Sequence, residues 1–211
     1  FLTAAQSIPV WIAKRWLERF SAETIISLCK AINTIPPITL RANTLKINRQ
    51  QLLGALESEV EHLEPTSYAP DGVKIRNPQK AIPHLNAYKK GWIQVQDEAA
   101  QLVSLLLDPQ PGESILDACS GMGGKTAHLA QLMRNRGMIT AVDNRPKKLQ
   151  QLDTEMQRLG ISIVNVACQD LQLPREENQQ ANFDRILLDD PCSGLGVLRR
   201  NPDIKWNSSP E

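Results

Sequence analysis

The 211 residues are 41% hydrophobic and 22% charged, an ordinary globular balance with room for one large domain or two small ones. No apolar run approaches the roughly 20 residues of a membrane span and Phe1 opens no signal-peptide pattern, so a soluble, cytoplasmic protein with no membrane partner is expected. A net charge of +1 excludes a protein whose bulk electrostatics alone announces nucleic acid, and four cysteines without a Cys-x-x-Cys pairing exclude a disulfide framework or a zinc site.

In chain order, Ile8, Ile12, Trp16 and Phe20 recur one turn apart and predict a helix with Pro9 in its first turn. Ser21 is placed to cap a second helix with Ile25, Leu28, Cys29 and Ile32 on its apolar side, where Cys29 reads as core. Pro36-Pro37 stops that helix. Ile38, Leu40 and Ala42 then alternate with Thr39 and Arg41 as in a half-buried strand. Asn48 precedes a helix carrying Leu52, Leu53 and Leu56; short strands over 60–63 and 73–75 flank the Pro70-Asp71-Gly72 turn, and residues 89–96 alternate as a further strand. These elements predict a small α+β unit.

Asp97 is placed to cap an apolar helix ending at Leu107, and Asp108-Pro109-Gln110-Pro111-Gly112 terminates it. Beyond it, strands and helices alternate: strand 115–118, helix 124–134, strand 138–142, helix 146–159, strands 161–167 and 183–188, with a polar surface loop over 175–182. That order predicts a parallel, doubly wound α/β sheet with ligands outside the carboxyl ends of its strands. Charge divides mildly along the same line. Residues 1–97 hold 12 Lys/Arg against 8 Asp/Glu, and residues 98–211 hold 12 against 15.

The strand at Ile115 runs into the glycine-rich stretch Cys119-Ser-Gly-Met-Gly-Gly-Lys-Thr126 and then a helical pattern, the arrangement that builds a nucleotide pocket. A phosphate-binding P-loop would need a glycine at Cys119, which excludes it, and a Gly-x-Gly-x-x-Gly dinucleotide fingerprint is matched only in part. Asp143 closes the next strand, where a carboxylate accepts both hydroxyls of a ribose. An adenosine-containing cofactor follows, with S-adenosylmethionine (SAM) and NAD both open. Asp170 follows the third strand as a turn residue or an adenine contact. Asp189, Asp190 and Cys192 leave the fourth strand together, and Lys125 at a helix start calls for a partner or a ligand. His128, His62 and His84 have no second metal-spaced ligand and read as structural, so no metal is expected. Arg199, Arg200, Lys205 and Trp206 suit a phosphodiester with a splayed base.

These residues resemble the RNA cytosine-5 methyltransferases of the Sun/Fmu (RsmB) type, which act on small-subunit ribosomal RNA. The 119–126 stretch is similar to that family's Cys-Ala-Ala-Pro-Gly-Gly-Lys-Thr loop, Asp189-Asp-Pro-Cys-Ser-Gly194 to its Asp-Ala-Pro-Cys-Ser-Gly/Ala, and Asn201-Pro-Asp-Ile-Lys-Trp206 to its His-Pro-Asp-Ile-Lys-Trp run. Met122 and Asp190 depart from the pattern. The resemblance implies a Rossmann-like SAM-dependent methyltransferase domain over 98–211, preceded over 1–97 by helices and a small α+β (RRM-like) RNA-binding domain. It implies SAM contacts from Cys119, Ser120, Gly121, Met122, Gly123, Gly124, Lys125, Asp143, Asp170 and Asp189. Asp189 is then also the residue aimed at the base, and Cys192 the residue that helps release the product. NAD chemistry leaves the Pro-Cys-Ser run without a role. The resemblance further implies that the chain is an internal piece of a longer enzyme, inactive by itself because the nucleophilic cysteine of a Thr-Cys motif falls after Glu211. Methylation of transfer or other RNA, and a non-catalytic SAM- and RNA-binding protein, are the alternatives.

Overall fold

The computed structural model describes residues 2–173, 182–190 and 192–207. No helix among them is long and apolar enough to cross a membrane. The surface loop expected over 175–182 lies, apart from residue 182, outside the described residues. The chain separates into two compact units, Phe1–Pro36 with Pro191–Glu211, and Pro37–Asp190.

The first unit is helical: α1 (Leu2–Gln6), α2 (Val10–Leu17) and α3 (Ala22–Ile32), with a 3-10 turn over Leu195–Val197 in the same unit. Ser21 caps α3 by accepting the Thr24 amide at 3.3 Å. Ile8, Ile12, Ala13, Ile25 and Cys29 form its core, whereas Phe20 and Leu28 on the expected apolar stripes lie exposed.

The second unit holds two sheets. The smaller comprises β1 (Ile38–Ala42), α4 (Arg49–Leu56), β2 (Val60–Pro65), β3 (Gly72–Pro78), α5 (Asn86–Lys89) and β4 (Ile93–Val95). Its antiparallel order β2-β3-β1-β4 is that of a split βαβ, ferredoxin-like unit. Asn48 and Gln51 form a reciprocal capping box that starts α4, which lays Leu52 and Leu56 over Leu40, Val73, Ile75 and Ile93. The strand expected over 89–96 is shorter, because α5 runs to Lys89 and Gly91 turns the chain at φ +68° before β4 begins. Strand β1 is not half-buried: Thr39 and Arg41, on its second face, are 2% and 0% exposed.

After α6 (Glu98–Leu107), the larger sheet alternates β5 (Ser114–Asp117), α7 (Gly124–Leu132), β6 (Met138–Asp143), α8 (Pro146–Leu159), β7 (Val164–Cys168) and β8 (Arg185–Leu187). All its pairings are parallel, in the order β7-β6-β5-β8, so the doubly wound α/β expectation holds. Its core packs Leu129, Ala130 and Met133 with Ile139, Leu152 and Met156. Strand β7 starts later than expected because Ile161 serves the end of α8: its amide reaches the Met156 carbonyl at 2.9 Å beside a left-handed Gly160, while Ser162 donates to Asn135.

Candidate functional site

The parallel sheet ends in a row of acidic groups. Asp117 is the last residue of β5 and Asp143 the last of β6; Asp170 follows β7 by two residues, and Asp189 follows β8 by two. Between β5 and α7 the loop closes on itself and on β6. Ser120 donates its amide and hydroxyl to the Val142 carbonyl at 2.9 and 3.1 Å, the Gly123 amide donates to Ser120 at 2.9 Å, and the Gly121 amide donates to Asp143 Oδ2 at 3.1 Å. Gly123 is required where it stands: at φ +84°, a Cβ would come within 2.7 Å of Leu152 Cγ. The first-turn amides of α7 have no intrahelical acceptor, and Gly124 and Lys125 line the crevice, where such donors favour an anion.

Lys125, the cation at the start of α7, pairs with Asp189 across the crevice, which supplies the partner its position demands. Asp143 Oδ1 accepts the Arg145 amide at 2.9 Å, and Lys148 lies 3.6 Å from Oδ2. A carboxylate offers about four lone-pair sites, so acceptor capacity remains for a further pair of hydroxyls. Asp170 takes the turn role, accepting the Gln172 amide at 3.0 Å. Cys119 is half-buried with its sulfur 3.9 Å from Asp190 Oδ1. Burial first, then the carboxylates of Asp190, Asp117, Asp143 and Asp189, push its thiol up, which makes it a poor nucleophile. Met122 is exposed. Cys192 belongs to the helical unit, where it is exposed and accepts the Gly194 amide at 3.4 Å; Pro191 lies outside the described residues. In that unit Lys205 is buried and Arg199 donates to the Thr34 and Ile35 carbonyls, so the expected three-cation loop presents Trp206 exposed but not all of its cations.

Three residues that the sequence did not single out line the crevice of about 280 Å³ with Cys119, Ser120, Gly121, Gly124, Lys125 and Asp189: Asp117, Gln96 and Ala100. Asp117 repeats the strand-end pattern of Asp143, a signal that was legible. Gln96 directly follows β4 of the small sheet and had no signal. Asp117 is 1% exposed and accepts the Thr126 hydroxyl at 2.7 Å. Burial pushes its carboxyl up to about 6, with Asp189 adding to the shift and Thr126, Lys125 and the Cys119 amide opposing it.

That shift makes a pH prediction. A carboxyl whose pKa is raised on folding contributes stability that is fully present below its ordinary 3.8 and is lost as pH rises through about 6. His128, pushed down to about 2 by burial and by the charge of Arg41, acts oppositely, since its contribution is lost as pH falls below 6.5. The comparison that isolates Asp117 is therefore wild type against Asp117→Asn. The variant is expected to gain roughly 2 to 3 kcal/mol over wild type between pH 4 and pH 7. Urea midpoints that stay parallel across that range would show that Asp117 ionises normally.

Residues 104–211 match the family described as 16S rRNA methyltransferase RsmB/F, and residues 8–81 match its ferredoxin-like domain. The chain belongs to the RsmB/F family of ribosomal RNA methyltransferases. It is 37% identical over its whole length to a probable ribosomal RNA small subunit methyltransferase B of Bacillus subtilis, and 39% identical over 97% of its length to one of Synechocystis; each alignment covers 46% of the relative. The chain thus spans about half the length of these curated relatives. Among solved structures it is similar to PH0851, at 33% identity with a TM-score of 0.92 over all of this chain and 47% of that one. It is also similar to a methyltransferase homolog from Pyrococcus horikoshii, at 30% identity with a TM-score of 0.72 over 94% and 68%. The cofactor of this family is S-adenosylmethionine. The crevice fits it chemically: carboxylates at three strand ends suit an amine, a sulfonium and ribose hydroxyls, and the α7 amides suit a carboxylate.

Proposed function

We propose that the protein methylates carbon 5 of a cytosine in small-subunit ribosomal RNA, in the cytoplasm, with residues 1–97 contributing RNA binding and 98–211 the transferase. The observation that carries the reading is the row of Asp117, Asp143 and Asp189 around the glycine loop, in a chain of this family. SAM supplies an electrophilic methyl group. Cys119, Ser120, Gly121, Met122, Gly123, Gly124 and Lys125 form the loop that holds it, Asp143 accepts from the ribose, Asp170 borders the adenine, and Asp189 orients the cytosine. Carbon 5 is too weak a nucleophile at neutral pH until a thiolate adds at carbon 6; after methyl transfer the carbon-5 proton leaves and the thiol is eliminated. Cys192 assists that release.

None of the four cysteines suits the attack. Cys29 is buried, the Cys119 thiol is pushed up by burial and then by neighbouring carboxylates, Cys168 closes a strand and Cys192 matches the release position. The 211 residues are therefore expected to hold cofactor without forming 5-methylcytosine. In a labelled-methyl assay with the whole protein, ribosomal small-subunit RNA should be methylated and transfer RNA should not, with mass spectrometry placing the label at carbon 5. Label on transfer RNA, or on another atom, would refute the specificity. Product from the 211-residue chain that disappears on Cys192→Ala would assign the attack to Cys192.

A further inference from the structure

The small sheet sends a buried cation into the back of the cofactor loop. Arg41, on β1, is 0% exposed, and its hydrogen-bond partners among the described residues are neutral. Its Nε donates to Gln131 Oε1 at 3.1 Å, one terminal nitrogen donates to Gln94 Oε1 at 2.6 Å, and the other reaches Gln96 Oε1 and the Gly124 carbonyl, the latter at 3.2 Å. Gln96 adds a second donor to that same carbonyl, through Nε2 at 3.3 Å. Gly124 is the first residue of α7 and lines the crevice with Lys125 and Gln96.

Burying a guanidinium with neutral partners is costly, and here four acceptors take up its donors. Burial pulls Arg41 down to about 9, with Asp71 and Glu155 opposing from a distance. A hydrophobic residue would fill the space at lower cost, so what the arginine adds is geometry: a planar, five-donor group that fixes one backbone carbonyl against three side-chain amides. The rest of this contact is held equally firmly. Asn43 Nδ2 bridges the Gly91 and Leu159 carbonyls at 2.8 Å each, and Arg158 reaches the Tyr88 and Ile93 carbonyls at 2.7 and 2.9 Å. The small sheet is thus a fixed wall of the crevice.

We propose that Arg41 is a positioning residue for the cofactor site: by gripping Gly124 it sets the start of α7, and so the aim of the α7 amides and of Lys125. The inference rests on the reading of the crevice as the SAM site. Its test uses the 211-residue chain with Arg41→Lys, which keeps charge and loses the fork, Arg41→Met, which removes both, and Leu52→Ala, which weakens the small-sheet core away from Gly124. Amide hydrogen exchange is followed at Gly123 and Ala127, whose protons bond to Ser120 and Gly123, and S-adenosylhomocysteine binding is measured by calorimetry. Both Arg41 variants should speed exchange at these two amides at least tenfold relative to the sheet core, and weaken binding about tenfold. Leu52→Ala should lower the melting temperature while leaving both readouts in place. Unchanged exchange at Gly123 and Ala127 in folded Arg41 variants overturns the positioning role, as does loosened exchange with wild-type affinity or an equal loss in Leu52→Ala. Loosened exchange in a protein whose wild type ignores the ligand keeps Arg41 as the residue that sets the loop and refutes the cofactor reading instead.

Discussion

Asp143→Ala is expected to weaken S-adenosylhomocysteine binding by about 1.5 to 3 kcal/mol, the range for hydrogen bonds to a charged group, or roughly 10- to 150-fold in Kd. Two losses combine. The carboxylate is the ribose acceptor in the proposed site, and its Oδ2 also holds the Gly121 amide at 3.1 Å, so removing it leaves the loop less ordered before any ligand arrives. Asp143→Asn keeps an acceptor oxygen and loses the charge, and should fall between wild type and alanine. The fold should survive, because Asp143 closes a strand whose ladder to β5 and β7 is made by the backbone. Calorimetry and a urea melt on the same samples decide it. A variant that unfolds would make Asp143 a structural cap, and one that binds normally would remove it from the ribose.

The largest stability effect is expected at Gly91. It sits at φ +68°, and a Cβ there would come 2.1 Å from the Arg158 carbonyl oxygen and 2.6 Å from Lys46 Nζ. The lysine can swing away; the carbonyl cannot, because it belongs to the last turn of α8, which Asn43 and the Arg158 side chain tie to the small sheet. Gly91→Ala therefore adds backbone strain to a clash with backbone and should cost about 3 kcal/mol or more, lowering Tm by roughly 6 to 12 °C in a chain of this size. Gly54 is the counter-case. It is exposed inside α4 with nothing within 4 Å of a new Cβ, so Gly54→Ala should stabilise by roughly 0.5 to 1 kcal/mol. Thermal melts of both variants are sufficient, and equal shifts at the two positions would contradict the geometry.

Local rules alone settled a good part of this protein. The 3.6-residue and 2-residue apolar periods, the Ser21 and Asn48 caps and the glycine stretch at 121–124 each act within a few residues, and the alternation from Ile115 onward calls for a parallel, doubly wound sheet, whose strand order the structure supplies. Asp143, Asp170 and Asp189 were legible for the same reason, since a parallel sheet brings every strand's carboxyl end to one edge. Two local features differ: Ile161 reads as strand because its apolar character hides that its amide closes α8, and residues 89–92 read as strand because an alternating pattern does not reveal a turn at positive φ. What only the tertiary structure decided involves partners distant in the chain. The pairing of Lys125 with Asp189 spans 64 residues and the grip of Arg41 on Gly124 spans 83; the alternating pattern around Arg41 reads as a solvent face until a second sheet's helix covers it. Burial of Asp117, and with it a carboxyl that ionises near neutrality, likewise needs the packed crevice. Desolvation is set by what surrounds a group in space, and no stretch of sequence contains that.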